Sequence, residues 1–223
     1  IMKLPTVEQL SQHIMEMKNE DFEIIPKAQS AYQYELSAVQ KSMYLLWSVN
    51  PEDTVYNIPF LWRLTSELNV AQLKRALNQL IARHEILRTQ YVIDENEVKQ
   101  RIENDVEADF KEITTRYTDE QQIIRAYTEP FNLEQPSQMR VRYIHAPHED
   151  YLFIDTHHSI NDGMSNTILL ADLNALYQEK ELPELALQYK DYSEWMANRD
   201  LSKQRRYWLQ QLSLIHISEP TRP

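Results

Sequence analysis

Apolar residues recur along this chain at two spacings, and the switches between them mark out its elements. Val7, Leu10 and Ile14 follow Pro5 and Thr6 at helical intervals and predict a short helix after an extended start. Lys18 to Tyr34 is polar, contains Pro26 and reads as a linker. Val39, Met43, Leu46 and Trp47 predict an amphipathic helix within Leu36–Val49. Strict alternation of Ile58, Phe60, Trp62 and Leu64 predicts a strand over Tyr56–Leu64. Asn69 is placed to cap a helix from Val70 to about Glu85, with Val70, Leu73, Leu77, Leu80 and Ile81 as its stripe. Leu87–Ile93 and Val98–Ile102 read as strands around an acidic turn at Asp94–Glu97. Thr118-Asp-Glu-Gln121 has the form of a capping box, and the helix it opens must stop before Pro130. Met139–Ile144 and Tyr151–His157 are predicted strands flanking a turn at Ala146–Asp150. Met164–Glu179 then reads as a helix with Leu169, Leu173, Leu176 and Tyr177 on one face, and a last helix runs from about Lys203 to Leu212.

Strands and helices mix without regular βαβ units, which predicts the α/β class, as an α+β two-layer sandwich. No repeat occurs at solenoid periods. Residues 213–223, SLIHISEPTRP, continue no earlier pattern and read as non-native, adapter-derived sequence, outside the fold.

Composition narrows the chemistry. The chain is 42% hydrophobic and 26% charged, the balance of a globular protein. No apolar run reaches the roughly 18 residues that span a bilayer. The start lacks a signal-peptide core, and the absence of cysteine fits a reducing cytoplasm, the expected location. A net charge of −11 argues against nucleic acid as a partner. Average glycine usage, about 7%, would give roughly 16 glycines; there is one, Gly163. Gly-rich phosphate loops are therefore absent, and with them the usual nucleotide-cofactor folds.

That glycine closes the segment that carries chemistry. Tyr151 to Ser165 runs a strand into a tight loop and then a helix. Strand alternation sends His157 and His158 to opposite faces. Asp162 precedes Gly163, where an unusual backbone angle or a close approach is tolerated. The backbone N–H groups around Gly163 and Met164 lie at a helix N-terminus, where donors are unpaired and face developing negative charge. A base beside oriented donors suits acyl transfer to an amine. A His-His pair by itself is more often structural, and adjacent strand residues diverge too far to share a metal ion, so no metal is expected.

In its surroundings the segment gains specificity. His157–Gly163 resembles the HHxxxDG motif of the condensation-domain superfamily, which includes chloramphenicol acetyltransferase. Leu36-Ser-Ala-Val-Gln40-Lys-Ser-Met-Tyr44 resembles the SxAQ opening of its nonribosomal peptide synthetase branch, with Val39 and Ser42 departing from the usual Ala and Arg. Arg83-His-Glu-Ile-Leu-Arg-Thr-Gln-Tyr91 resembles RHExLRTxF, with Tyr for Phe. Pro130-Phe-Asn-Leu133 with Met139-Arg-Val141 resembles the PFDL segment and its following strand, and Tyr189-Lys-Asp-Tyr-Ser-Glu-Trp195 resembles YxDYAVW. Tyr207-Trp-Leu209 closes the ordered series. Tyr56-Asn-Ile-Pro59 resembles the segment of domains that accept an L-configured donor.

The resemblance implies a chloramphenicol acetyltransferase-like lobe with a mixed sheet flanked by helices, over residues 35–212, as the amino-terminal half of a two-lobed domain. It implies amide-bond formation between carrier-bound acyl groups, with His158 catalytic, either as a base or by positioning the amine. An α-amine with a pKa of about 7.7–8.0 is partly neutral near pH 7, which favours positioning. His157 is assigned to packing, Gly163 to backbone geometry with a possible N–H donor, and Asp162 to an ion pair with Arg83. No cofactor is bound directly; phosphopantetheine on carrier domains presents the substrates. The implied partners are upstream and downstream peptidyl carrier domains, the missing carboxy-terminal lobe and a downstream adenylation domain. Leu4-Pro-Thr-Val-Glu-Gln-Leu10 resembles the last helix of a carrier domain, so residues 1–17 are assigned to one, residues 18–34 to a linker, and the step to elongation. Two rivals stand beside this reading: an epimerisation domain, which shares the histidine motif, and a non-catalytic carrier-docking remnant.

Overall fold

The structure, a computed structural model, describes residues 6–16 and 24–215. Its centre is a four-stranded sheet of β1 (Asn57–Arg63), β4 (Asp109–Thr114), β5 (Met139–His145) and β6 (Asp150–His157), in the order β1-β6-β5-β4. β6 pairs antiparallel with both β1 and β5, whereas β4 pairs parallel with β5, so the sheet is mixed as expected. β2 (Thr89–Asp94) and β3 (Glu97–Ile102) form a separate hairpin. Its turn residues Glu95 and Asn96 have φ of 45° and 71°, the left-handed pair that a two-residue hairpin turn requires.

Side-chain alternation gives the sheet two buried faces. On one, α3 (Val70–Arg83) and α5 (Gly163–Tyr177) pack Leu73, Leu77, Leu80, Ile81, Leu169 and Leu173 against Met139, Val141 and Ile154. On the other, α4 (Glu120–Tyr127) packs Ile123 against Ile144, Tyr151 and Phe153. A third cluster joins Tyr44 of α2 (Ala38–Val49) to Tyr91 of the hairpin, Phe131 and Leu133. α1 (Val7–Glu16), α6 (Tyr189–Asn198) and α7 (Ser202–Ile215) complete the fold.

Several expectations need correction. α2 does not bury Val39 and Leu46, which are exposed; it buries Gln40 and Tyr44, because Gln40 closes a capping box with Ser37 and reaches Gln100. The cap of α4 is Asp119 rather than Thr118: its carboxylate accepts from Gln122 N–H at 3.0 Å. The described part of the linker is docked on the lobe. Ala28 N–H donates to Asp191 at 2.9 Å, and Tyr34, buried, bridges Gln100 through two backbone bonds. Neither β4 nor α6 was expected. β4 is mostly polar and is secured from outside, by the Arg142 fork on Asp109 at 2.8 and 3.0 Å and by His145 on Glu112 at 2.9 Å. α7 continues through 213–215, three residues that were assigned to the tail; the rest of that tail lies outside the described residues.

Candidate active site

The site is built where β6 ends. Its last residue, His157, faces the side of the sheet that carries Asp155 and is buried between Tyr56 and the edge-on ring of Phe131. Ser159 N–H donates to Nδ1 at 3.1 Å, so the ring's proton sits on Nε2. Burial, reinforced by His158, lowers its pKa to about 4, and the ring stays neutral. Strand alternation sends one histidine of the pair inward, and His157 is the one that is buried.

His158 lies one residue past the strand. Its N–H donates to Tyr56 O at 2.8 Å, which carries the sheet ladder one step further and turns the imidazole out. The exposed ring lines a cavity of about 440 Å³ between the start of α2, the first turns of α5 and the segment before α6. Val39, Ile168 and Leu187 give this cavity an apolar wall, while His84, Asn161 and Tyr189 add polar groups. Asn161 is buried, donates to Thr156 Oγ1 at 3.0 Å, and has no partner for its Oδ1 among the described residues.

Asp162 caps α5. Its Oδ1 accepts from Ser165 N–H at 2.8 Å and Ser165 Oγ–H at 2.7 Å, and these bonds hold the carboxyl below its ordinary range. Two expectations fail here. Of the donors expected around Gly163 and Met164, the Met164 N–H faces this carboxylate together with Ser165 N–H and is not left for an oxyanion. Nor does Asp162 pair with Arg83. Arg83 ends α3 where that helix packs on the middle of α5, and its Nε donates to Asp172 at 2.8 Å while Nη1 donates to Pro183 O at 2.6 Å. Gly163 is also not in the left-handed region, and a Cβ built there meets nothing within 4 Å. Neither the backbone nor the packing of this lobe demands glycine at that position.

Sequence reasoning missed His84 and Asp172. His84 sits inside the Arg83-His84-Glu85 segment, which was read for its arginine; its position at the end of an amphipathic helix was the available signal. Asp172 was masked by the apolar residues around it on α5.

Fold and site together define the class: an α/β lobe with a mixed sheet whose exposed histidine follows an inner strand. The chain belongs to the condensation-domain family, whose model matches residues 30–220. Bacitracin synthase 3 of Bacillus licheniformis is 33% identical over 214 residues, and gramicidin S synthase 2 of Brevibacillus brevis is 35% identical over 214. The match takes in 94% of this chain in both cases, but only 3% and 5% of those proteins. Among solved structures, the X-domain from teicoplanin biosynthesis is similar with a TM-score of 0.73 at 24% identity, over 83% of this chain and 44% of that one. The starter condensation domain of rhizomide synthetase RzmA follows the same fold, with a TM-score of 0.68 at 24% identity over 81% and 48%. The chain thus spans about half of the solved domains it resembles. The epimerisation reading is not favoured by these relationships. No helix among the described residues is long and apolar enough to cross a membrane.

Proposed function

We propose that this chain is the amino-terminal lobe of an amide-forming condensation domain in a nonribosomal peptide synthetase, with His158 as its catalytic residue. The observation that carries the reading is the split fate of the histidine pair: His157 is sealed into the lobe, while His158 is exposed in a partly apolar cavity. In the reaction the acceptor α-amine attacks the donor thioester carbonyl. A C–N bond forms, the C–S bond breaks, and the thiol leaves with the proton the amine gives up. No serine or cysteine nucleophile is needed, because the amine is the nucleophile. His158 orients that amine and stabilises the charge it develops, through one hydrogen bond.

Finer assignments rest on the family resemblance. Tyr56 accepts the His158 backbone bond, so the segment Tyr56–Pro59 sits against the site, which supports its part in choosing an L-configured donor. The helix Val7–Glu16 supports a preceding carrier domain and hence an elongation step. Carrier domains on both sides, bearing phosphopantetheine thioesters, and a downstream adenylation domain are the proposed partners, in the cytoplasm. Around the cavity mouth Val39, Met164 and Ile168 are 60%, 78% and 54% exposed, which supports a second lobe covering them and a lobe inactive without it.

In a complete synthetase, His158→Ala is expected to cut amide formation by at least about 100-fold, the usual weight of a positioned polar group, without changing the melting temperature. Product release assayed with loaded carriers checks this; wild-type turnover by the folded variant removes His158 from the mechanism.

A further inference from the structure

We propose that His84, oriented by Asp172, is a positioning residue that holds the acceptor amine in the cavity it shares with His158, an assignment that rests on the condensation reading. His84 terminates α3 as its C-cap, and the cavity-lining residues include both imidazoles, which arrive from different elements. His84 Nε2 lies 2.7 Å from Asp172 Oδ2, the same oxygen that accepts from Arg83 Nε at 2.8 Å. A carboxylate already paired to a guanidinium accepts, so Nε2 carries the ring's proton and Nδ1 keeps a lone pair. Nδ1 has no hydrogen bond among the described residues.

The ring is also fixed from its backbone. The Gln188 side chain donates to Arg83 O at 2.9 Å and accepts from Glu85 N–H at 3.1 Å, which brackets His84 on both sides. Burial lowers the His84 pKa against the pull of Asp172, with Arg83 adding to the lowering. The ring is therefore neutral near pH 7, and Nδ1 is an acceptor for an N–H donor. The charged and titratable groups around it are Arg83 and Asp172, with His158, Asp162 and Tyr189 on the cavity side. A primary amine is the ligand chemistry this combination fits: an acceptor nitrogen on one wall, a second imidazole at the strand end, and carboxylates nearby.

Two variants separate positioning from structure. In His84→Gln the side-chain amide replaces the Nε2–H bond to Asp172 and leaves nothing at Nδ1. In His84→Asn the reverse holds. Two measurements are made: the acceptor KM and kcat of the complete synthetase with an aminoacyl N-acetylcysteamine thioester, and the ¹⁵N shift of His84 Nδ1 in the complete two-lobed domain on titration with leucinamide. The expected results are an acceptor KM raised about five- to tenfold in His84→Gln, the worth of one hydrogen bond, with donor KM and melting temperature unchanged. His84→Asn, which offers an acceptor at the Nδ1 position but lacks the bond to Asp172, recovers KM only in part, and leucinamide moves the Nδ1 signal. A wild-type acceptor KM in folded His84→Gln, or an Nδ1 signal indifferent to saturating leucinamide, overturns the proposal. If leucinamide moves Nδ1 but the wild-type synthetase forms no amide, the amine site stands and the condensation reading fails.

Discussion

Asp155 and His157 share one face of β6, and burial drives their proton affinities in opposite directions. Asp155 is fully buried, bonded to Asn57 at 2.6 Å with Arg140 at 3.5 Å, and burial raises its pKa to about 6. Its contribution to stability is complete below the unfolded value near 3.8 and is lost as pH rises through 6. His157, lowered to about 4, contributes fully above 6.5 and loses that contribution as pH falls through 4. Each amounts to about 3 kcal/mol, and between pH 4 and 6 the two oppose each other. Wild-type stability should therefore be nearly flat in that window. Asp155→Asn should become more stable from pH 4 to 6.5, and His157→Asn less stable from pH 4 to 6. Urea midpoints against pH check this; three parallel profiles would show that the two groups do not titrate as described.

At the scale of elements, the first turn of α5 and the end of α3 are separate devices. Asp162→Ala should cost about 1 kcal/mol as a lost cap, and Asp162→Asn only a few tenths. Arg83→Ala should cost about 2 kcal/mol, the worth of a hydrogen bond to a charged group, because Asp172 in this mostly buried pair then keeps only its bond to His84. Since the two residues share no contact, the double variant should be additive within about 0.5 kcal/mol, measured by chemical denaturation; a coupling above 1 kcal/mol restores the ion pair expected from sequence. The elements whose apolar stripe meets the core were legible in the sequence: α3, α5, β5 and β6 fall within a few residues of their predicted bounds. β4 and α6 were not, because tertiary bonds hold them. Asp109 and Glu112 are bound by side chains of β5, and α6 is capped by an exchange between Gln188 and Asp191. In α2 the inward face runs through Gln40, Tyr44 and the half-buried Trp47, so Val39 and Leu46 fall outside the stripe that hydropathy indicated. The site followed the same rule. Alternation set the two histidines on opposite sides, one buried and one exposed, whereas Asp172 meets Arg83 and His84 only through packing of α5 on α3, which no local pattern encodes.

Taken as a whole molecule, the lobe presents an apolar rim around its cavity and a line of exposed large residues on α7, where Tyr207, Trp208 and Leu209 are each more than half exposed. By itself it should self-associate, seen as concentration-dependent sedimentation, and catalyse no condensation; joined to a carboxy-terminal lobe it should become monodisperse. A monomeric, active 223-residue chain would contradict this.

The register of the sheet also has a cost in time. Asn57 pairs with His157, so β1 finds its neighbour only after everything between them has been translated. At about 5–20 residues per second that wait is roughly 5–20 seconds. Meanwhile a nascent strand bearing Phe60 and Trp62 stands with both edges open, a natural target for chaperones. The two histidines at the end of β6 leave the ribosome last among these pieces, so the sheet closes and the corner that carries them takes shape in one event.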